Sequence, residues 1–161
     1  MIQSDIFDSS NMNIKKIVNT ALLFTVKRLI EMLGFVVLLL GILLLISLIS
    51  YSPNDPNFIF SDTIEIKNLL GFRGSFVSDL FFQSIGLISY LVSITFIITG
   101  VNIFKTKDLF LILENFFYVV LYSILGSLFL SFFYKDVFSL YINGNGGFVG
   151  IYLSQTFLEG L

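Results

Sequence analysis

Residues 29–50, LIEMLGFVVLLLGILLLISLIS, constrain this chain more than any other stretch, because residues 32–52 carry no charge. At about 1.5 Å of rise per residue, some 20 apolar residues cover a hydrocarbon core of roughly 30 Å. A helix on the surface of a water-soluble core would show a polar stripe at the helical period, and this run shows none. It reads as a membrane span. Composition agrees: only 12% of the chain is charged and 56% is hydrophobic, where soluble domains carry about 25% charged residues.

The same composition removes most chemistry. The chain has no cysteine and no histidine. That excludes disulfides and zinc–thiolate sites, and it takes away the commonest metal ligand and general base. Nine basic residues spread over the chain form no nucleic-acid patch. We expect no catalytic residue, no metal and no cofactor. A polar start containing Asp5 and Asp8, followed by an apolar run longer than a signal h-region, argues against a cleaved signal peptide.

Three spans are predicted, at about 29–50, 76–104 and 115–134, after an N-terminal tail of residues 1–28. Residues 14–28 mix apolar positions with Lys15, Lys16, Lys27 and Arg28 and fit either a flexible tail or an amphipathic helix in the headgroup region. Lys15, Lys16, Lys27, Arg28, Lys105 and Lys107 fall on one side of the bilayer, and Lys67, Arg73 and Lys135 on the other. The positive-inside rule then places the N-terminus in the cytoplasm. Loops 51–75 and 135–147 are expected outside. Pro53 and Pro56 predict a helix stop near Tyr51, Ser75 is the expected N-cap of the second span, and Asp79 is expected in its first turn. The glycines of residues 144–150 argue for an external turn at 141–147, followed by a short apolar helix at 148–158 on the outer face or dipping against the bundle. They form no phosphate loop, since no Gly-Lys-Ser/Thr ending follows.

Small residues fall in register on the spans: Gly34 and Gly41 on the first, Gly86, Ser89, Ser93 and Gly100 on the second, and Ser123, Ser127 and Ser131 beside Gly126 on the third. Such residues let membrane helices approach closely, within a chain or between subunits. Gln83, Asn102 and Asn115 lie near the interfaces, and no pair of carboxylates lies inside a span to serve a proton or ion pathway.

Three pieces outside the spans carry a family likeness. SYSPNDPN at 50–57 follows the first span, NLLGFRGSFVSDLFFQSIGLISY at 68–90 opens the second, and NGGFVGIYLS at 145–154 follows the third. In this order they resemble the N-terminal membrane domain of the FtsK/SpoIIIE DNA translocases, over roughly residues 29–161. The matching turn and helix-start positions are Pro53, Asp55, Pro56, Asn68, Gly71, Gly74, Asp79, Gly86, Gly146, Gly147 and Gly150. The resemblance implies an all-α integral membrane fold: three transmembrane helices plus a short outer-face helix, part of a four-span bundle. It also implies a multi-pass anchor in a bacterial inner membrane, serving cell division and chromosome partition ahead of a hexameric ATPase motor. The motor's Walker lysine is absent from this chain, which on this reading stops before the fourth span. Expected partners are the lipid bilayer, further copies of the chain and septal division proteins, with no direct nucleic-acid contact. The competing expectation is a small transporter subunit or membrane assembly factor unrelated to DNA.

Overall fold

The computed structural model describes residues 2–56, 65–134 and 143–157, with side chains from residue 15 onward. Five helices follow one another: α1 (Ile2–Ile49), α2 (Gly71–Ile85), α3 (Ser89–Thr106), α4 (Phe110–Phe133) and α5 (Gly147–Phe157). A single 3-10 turn, Gly86–Ile88, joins α2 to α3. There is no strand among the described residues. Three segments are long and apolar enough to cross a membrane: Lys15–Ile49, Gly71–Thr106 and Phe110–Phe133. Much of their apolar surface stays open, including Leu39 and Leu40 of α1, Ile98 of α3 and Leu125 and Phe129 of α4. In a bilayer these side chains meet lipid.

The first helix is longer than the tail-and-span division predicts. It runs unbroken through residue 28 and back to Ile2, 48 residues in all. No glycine precedes Gly34 and no proline precedes Pro53, so nothing local interrupts the hydrogen-bond ladder. The Thr20 and Thr25 hydroxyls bond back to the carbonyls of Lys16 and Ala21 and so stay within the helix. The helix ends where the prolines predict: Ile49 is its last residue, and the Ser50 hydroxyl donates to the Ile46 carbonyl at 2.7 Å.

α3 packs antiparallel along the charge-free part of α1, and glycines set the distance. A Cβ on Gly34 would stand 2.8 Å from the Phe104 nitrogen, and one on Gly41 2.7 Å from the Ile97 nitrogen. One on Gly100 would collide with the Leu38 backbone. The two backbones therefore touch through glycine on both sides. The seam continues into a core of Leu44, Leu48, Phe82 and Val92, where the Phe82 ring packs on Tyr51 at 4.9 Å and on Tyr90 at 5.6 Å. α4 joins α3 through two polar contacts. The Asn115 amide donates to the Thr99 hydroxyl at 2.9 Å, and the hydroxyls of Thr95 and Tyr122 lie 2.9 Å apart.

The second span differs from its predicted form. It starts at Gly71 rather than residue 76, and it is broken at Gly86, whose φ of 62° and ψ of −139° no helix accommodates. Gly74, Asp79 and Phe82 of α2 all meet α1 within its last turns and the loop just beyond, at Ser47, Tyr51 and Leu48. α2 therefore crosses over the end of α1, while α3, about 27 Å long at 1.5 Å per residue, lies beside the charge-free part of α1. Ser75 is no N-cap. It sits inside the helix and donates to the Pro56 carbonyl at 3.2 Å, while the first free amide, that of Leu70, goes to the Asn68 side chain at 3.0 Å. Asp79, expected in the first turn, lies further along the helix.

The third span starts at Phe110, five residues earlier than predicted, because the Asp108 carboxylate accepts from the Phe110 amide at 2.9 Å. The last helix is Gly147–Phe157; Leu158 and most of the loop before Asn143 lie outside the described residues. The bundle thus has two unlike ends. One, the basic end, carries Arg28, Glu31, Lys105, Lys107 and Asp108. The other, the turn end, gathers the loop after α1, α2, the Gly86 break and α5.

Candidate functional site

At the turn end, the residues singled out in the sequence assemble into two polar nodes. The first closes the loop after α1. Asp55 is only 4% exposed, and its carboxylate accepts from the backbone amides of Lys67 at 3.0 Å and Asn68 at 2.8 Å. The loop is thereby folded back on itself by one buried anion held on two N–H groups. Asn68, also 4% exposed, donates to the Ser47 carbonyl at 2.9 Å, one of the orphan carbonyls at the end of α1. Ser47 in turn donates to the Gly74 carbonyl at 2.6 Å, and Tyr51 donates to Asp79 at 2.8 Å. A Cβ on Gly74 would overlap the Asn68 side chain. Pro56 supplies the carbonyl taken by Ser75, whereas Pro53 lies exposed in the turn and Gly71 has φ of 65° with open space around it.

The second node is built at the Gly86 break. The Leu87 amide donates to the Asn145 carbonyl at 2.9 Å, and the Asn145 side chain donates to the Tyr134 carbonyl at the end of α4 at 2.7 Å. One residue therefore supplies partners to two helix ends. The Ser127 hydroxyl donates to the Ile85 carbonyl at 3.1 Å, and the Asn143 side chain donates to the Gln83 side chain at 2.9 Å. A Cβ on Gly86 would overlap the Asn145 carbonyl, and Cβ atoms on Gly146 and Gly150 would overlap Ser127 and Ser131 of α4. Gly147 has φ of 64° and lies against the backbone of Ser84 and Ile85. These glycines are where α2, α4 and α5 touch backbone to backbone.

The small residues of the spans are less uniform in use. Gly34, Gly41 and Gly100 form the α1–α3 seam. Ser89 and Ser93 are fully buried and bond within their own segment, to the Gly86 and Tyr90 carbonyls. At the basic end, Glu31 accepts from Arg28 and from Lys107, the latter at 2.8 Å. Lys107 closes α3 in a left-handed conformation, φ 60°, which carries its amine across to α1.

Sequence reasoning gives Tyr51 only the role of a helix stop and Asn145 only a place at the head of the family-like piece 145–154; the glycines beside Asn145 are the available signal for its contacts. Among the described residues, no three His, Cys, Asp or Glu side chains come together to hold a metal. The arrangement orders backbone ends.

Residues 26–161 match the family model described as the 4TM region of DNA translocase FtsK/SpoIIIE. The chain belongs to this family. It is 30% identical over 124 residues to the DNA translocase FtsK of Rickettsia typhi, covering 76% of this chain and 16% of that protein. It is 31% identical over 119 residues to the FtsK of Rickettsia prowazekii, covering 73% and 15%. Against the FtsK of Azospirillum brasilense it is 37% identical over 73 residues, 44% of this chain and 12% of the relative. The chain thus spans less than a fifth of the length of these FtsK proteins, and the match lies in the membrane region. No solved structure matches it. Both nodes fall inside the FtsK 4TM match, and the chain is a multi-pass, all-helical membrane domain.

Proposed function

We propose that this chain is the membrane anchor of an FtsK-like DNA translocase. It is non-catalytic in itself, and it holds a DNA-pumping motor at the division septum during chromosome segregation. One observation supports the reading above others: Asp55, Asn68, Gly74, Gly86, Gly146 and Gly150 form buried contacts between helices and loops. Residues that carry a family likeness through packing alone belong to a scaffold rather than to a reaction centre. The membrane is the bacterial inner membrane, with the N-terminus and the basic end in the cytoplasm and the turn end outside. Self-association and contact with septal division proteins follow from this role.

A fluorescent protein fused to the chain tests the anchor reading in dividing bacteria. A band at mid-cell is expected. A uniform membrane signal would remove the septal role, and fluorescence in the soluble fraction would remove the anchor. Orientation is checked by a reporter active only outside the cytoplasm: signal is expected when it is fused after Asn57 and none after Lys107. The reverse pattern overturns the placement.

A further inference from the structure

Where α2 crosses the end of α1 it leaves a space beneath it. The groove has a volume of about 450 Å³, within the range of ligand sites, roughly 300–1,000 Å³. Its walls are Leu40, Leu43 and Leu44 of α1, Val77 and Phe81 of α2, and Phe96 of α3. The Ser47 hydroxyl at its edge is already committed to the Gly74 carbonyl. Arg73, in the first turn of α2, lines the groove, is exposed, and forms no ion pair among the described residues. Leu40 and Leu43, also exposed, open the groove toward the surroundings of the bundle.

We infer that this groove is a phospholipid site in the leaflet at the turn end: one acyl chain lies under α2 and the headgroup phosphate is held by Arg73. Two features favour this occupant. The walls offer a chain apolar contact and no unpaired hydrogen-bonding group, so a hydrocarbon loses nothing by entering. At the rim stands a guanidinium, whose planar fork of donors matches a phosphate. A headgroup without an ammonium of its own leaves the phosphate charge uncompensated, so an anionic lipid is preferred over a zwitterionic one. The inference rests only on the helices lying in a bilayer and is independent of any role in division.

Native mass spectrometry of the full chain released from detergent micelles tests it, with phosphatidylglycerol or phosphatidylcholine titrated in. One retained phosphatidylglycerol per chain is expected, held about tenfold more tightly than phosphatidylcholine. Arg73→Gln should abolish that preference, and Val77→Trp, which fills the groove, should abolish retention. Leu125→Trp on the open flank of α4 is the control and should bind as the parent does. Circular dichroism melts of all variants report whether the bundle is intact. Millimolar inorganic phosphate should not displace the lipid, since it has no chain to seat. The proposal is overturned if no lipid is retained, or if Arg73→Gln and Val77→Trp, still folded, bind like the parent. It is equally overturned if Leu125→Trp loses lipid as they do. If Val77→Trp converts a dimer to a monomer without loss of lipid, the groove is instead an interface between copies.

Discussion

The α1–α3 seam and the turn end solve the same problem by different means. Along the seam both backbones are continuous helix, every amide is bonded internally, and the helices need only come close. Glycine at 34, 41 and 100 achieves that. At the turn end the chain breaks after α1, at Gly86 and after α4, and each break frees carbonyls and amides. There, buried side chains take them up: Asp55 for two amides, Asn68 for the Ser47 carbonyl, and Asn145 for the Tyr134 carbonyl. Polar side chains take up the backbone groups freed where the chain is interrupted, and along the α1–α3 seam glycine lets two unbroken helices touch.

The sharpest way to break this comparison is Gly86→Ala. It adds strain at a positive φ and a clash with the Asn145 carbonyl, and it should cost more than about 3 kcal/mol. The expected result is loss of the cooperative melt followed by circular dichroism in detergent. Next comes Gly100→Leu, which wedges α1 from α3 while leaving the turn end alone; a loss of about 2–3 kcal/mol is expected. Asp55→Ala leaves two amides of the first node unpaired and should cost about 2 kcal/mol. Its effect should be confined: hydrogen exchange is expected to quicken at Lys67 and Asn68 while the α1–α3 seam keeps its protection. If the seam loosens as much, the two regions are one cooperative unit. The smallest effect belongs to Glu31→Gln. It removes the ion pairs with the exposed Arg28 and Lys107 but leaves a side chain that still hydrogen-bonds, and its melting temperature should be indistinguishable from that of the parent. A measurable drop would show that the basic end has a lock of its own.

The sequence announced the spans more clearly than their joints. The charge-free run of α1 and its stop before Pro53 are plain, because a lipid-facing helix must be apolar for a set length and proline ends it. The break at Gly86 is not. A glycine within a charge-free run looks the same whether it brings two helices together or reverses the chain, and only its φ tells which. The start of α2 is hidden for a related reason. Ser75 has the right chemistry for a cap, but Asn68 reaches the Leu70 amide across the turn, and the helix begins five residues earlier. The early start of α4 was encoded in Asp108, whose short side chain bonds two residues ahead. The nodes themselves were half visible: Asp55, Asn68 and the glycines stood out, whereas Asn145 did not, because its partners come from segments distant in sequence.

One feature at the basic end has a mechanical consequence. α1 continues from the bilayer without a joint for its full 48 residues, about 72 Å at the rise of an α-helix. A rod of that length acts as a lever. Any tilt imposed on its lipid-embedded half by α3 swings the protruding half through the same angle. A body attached near the start of α1 would be carried through an arc set by the length of the protruding arm.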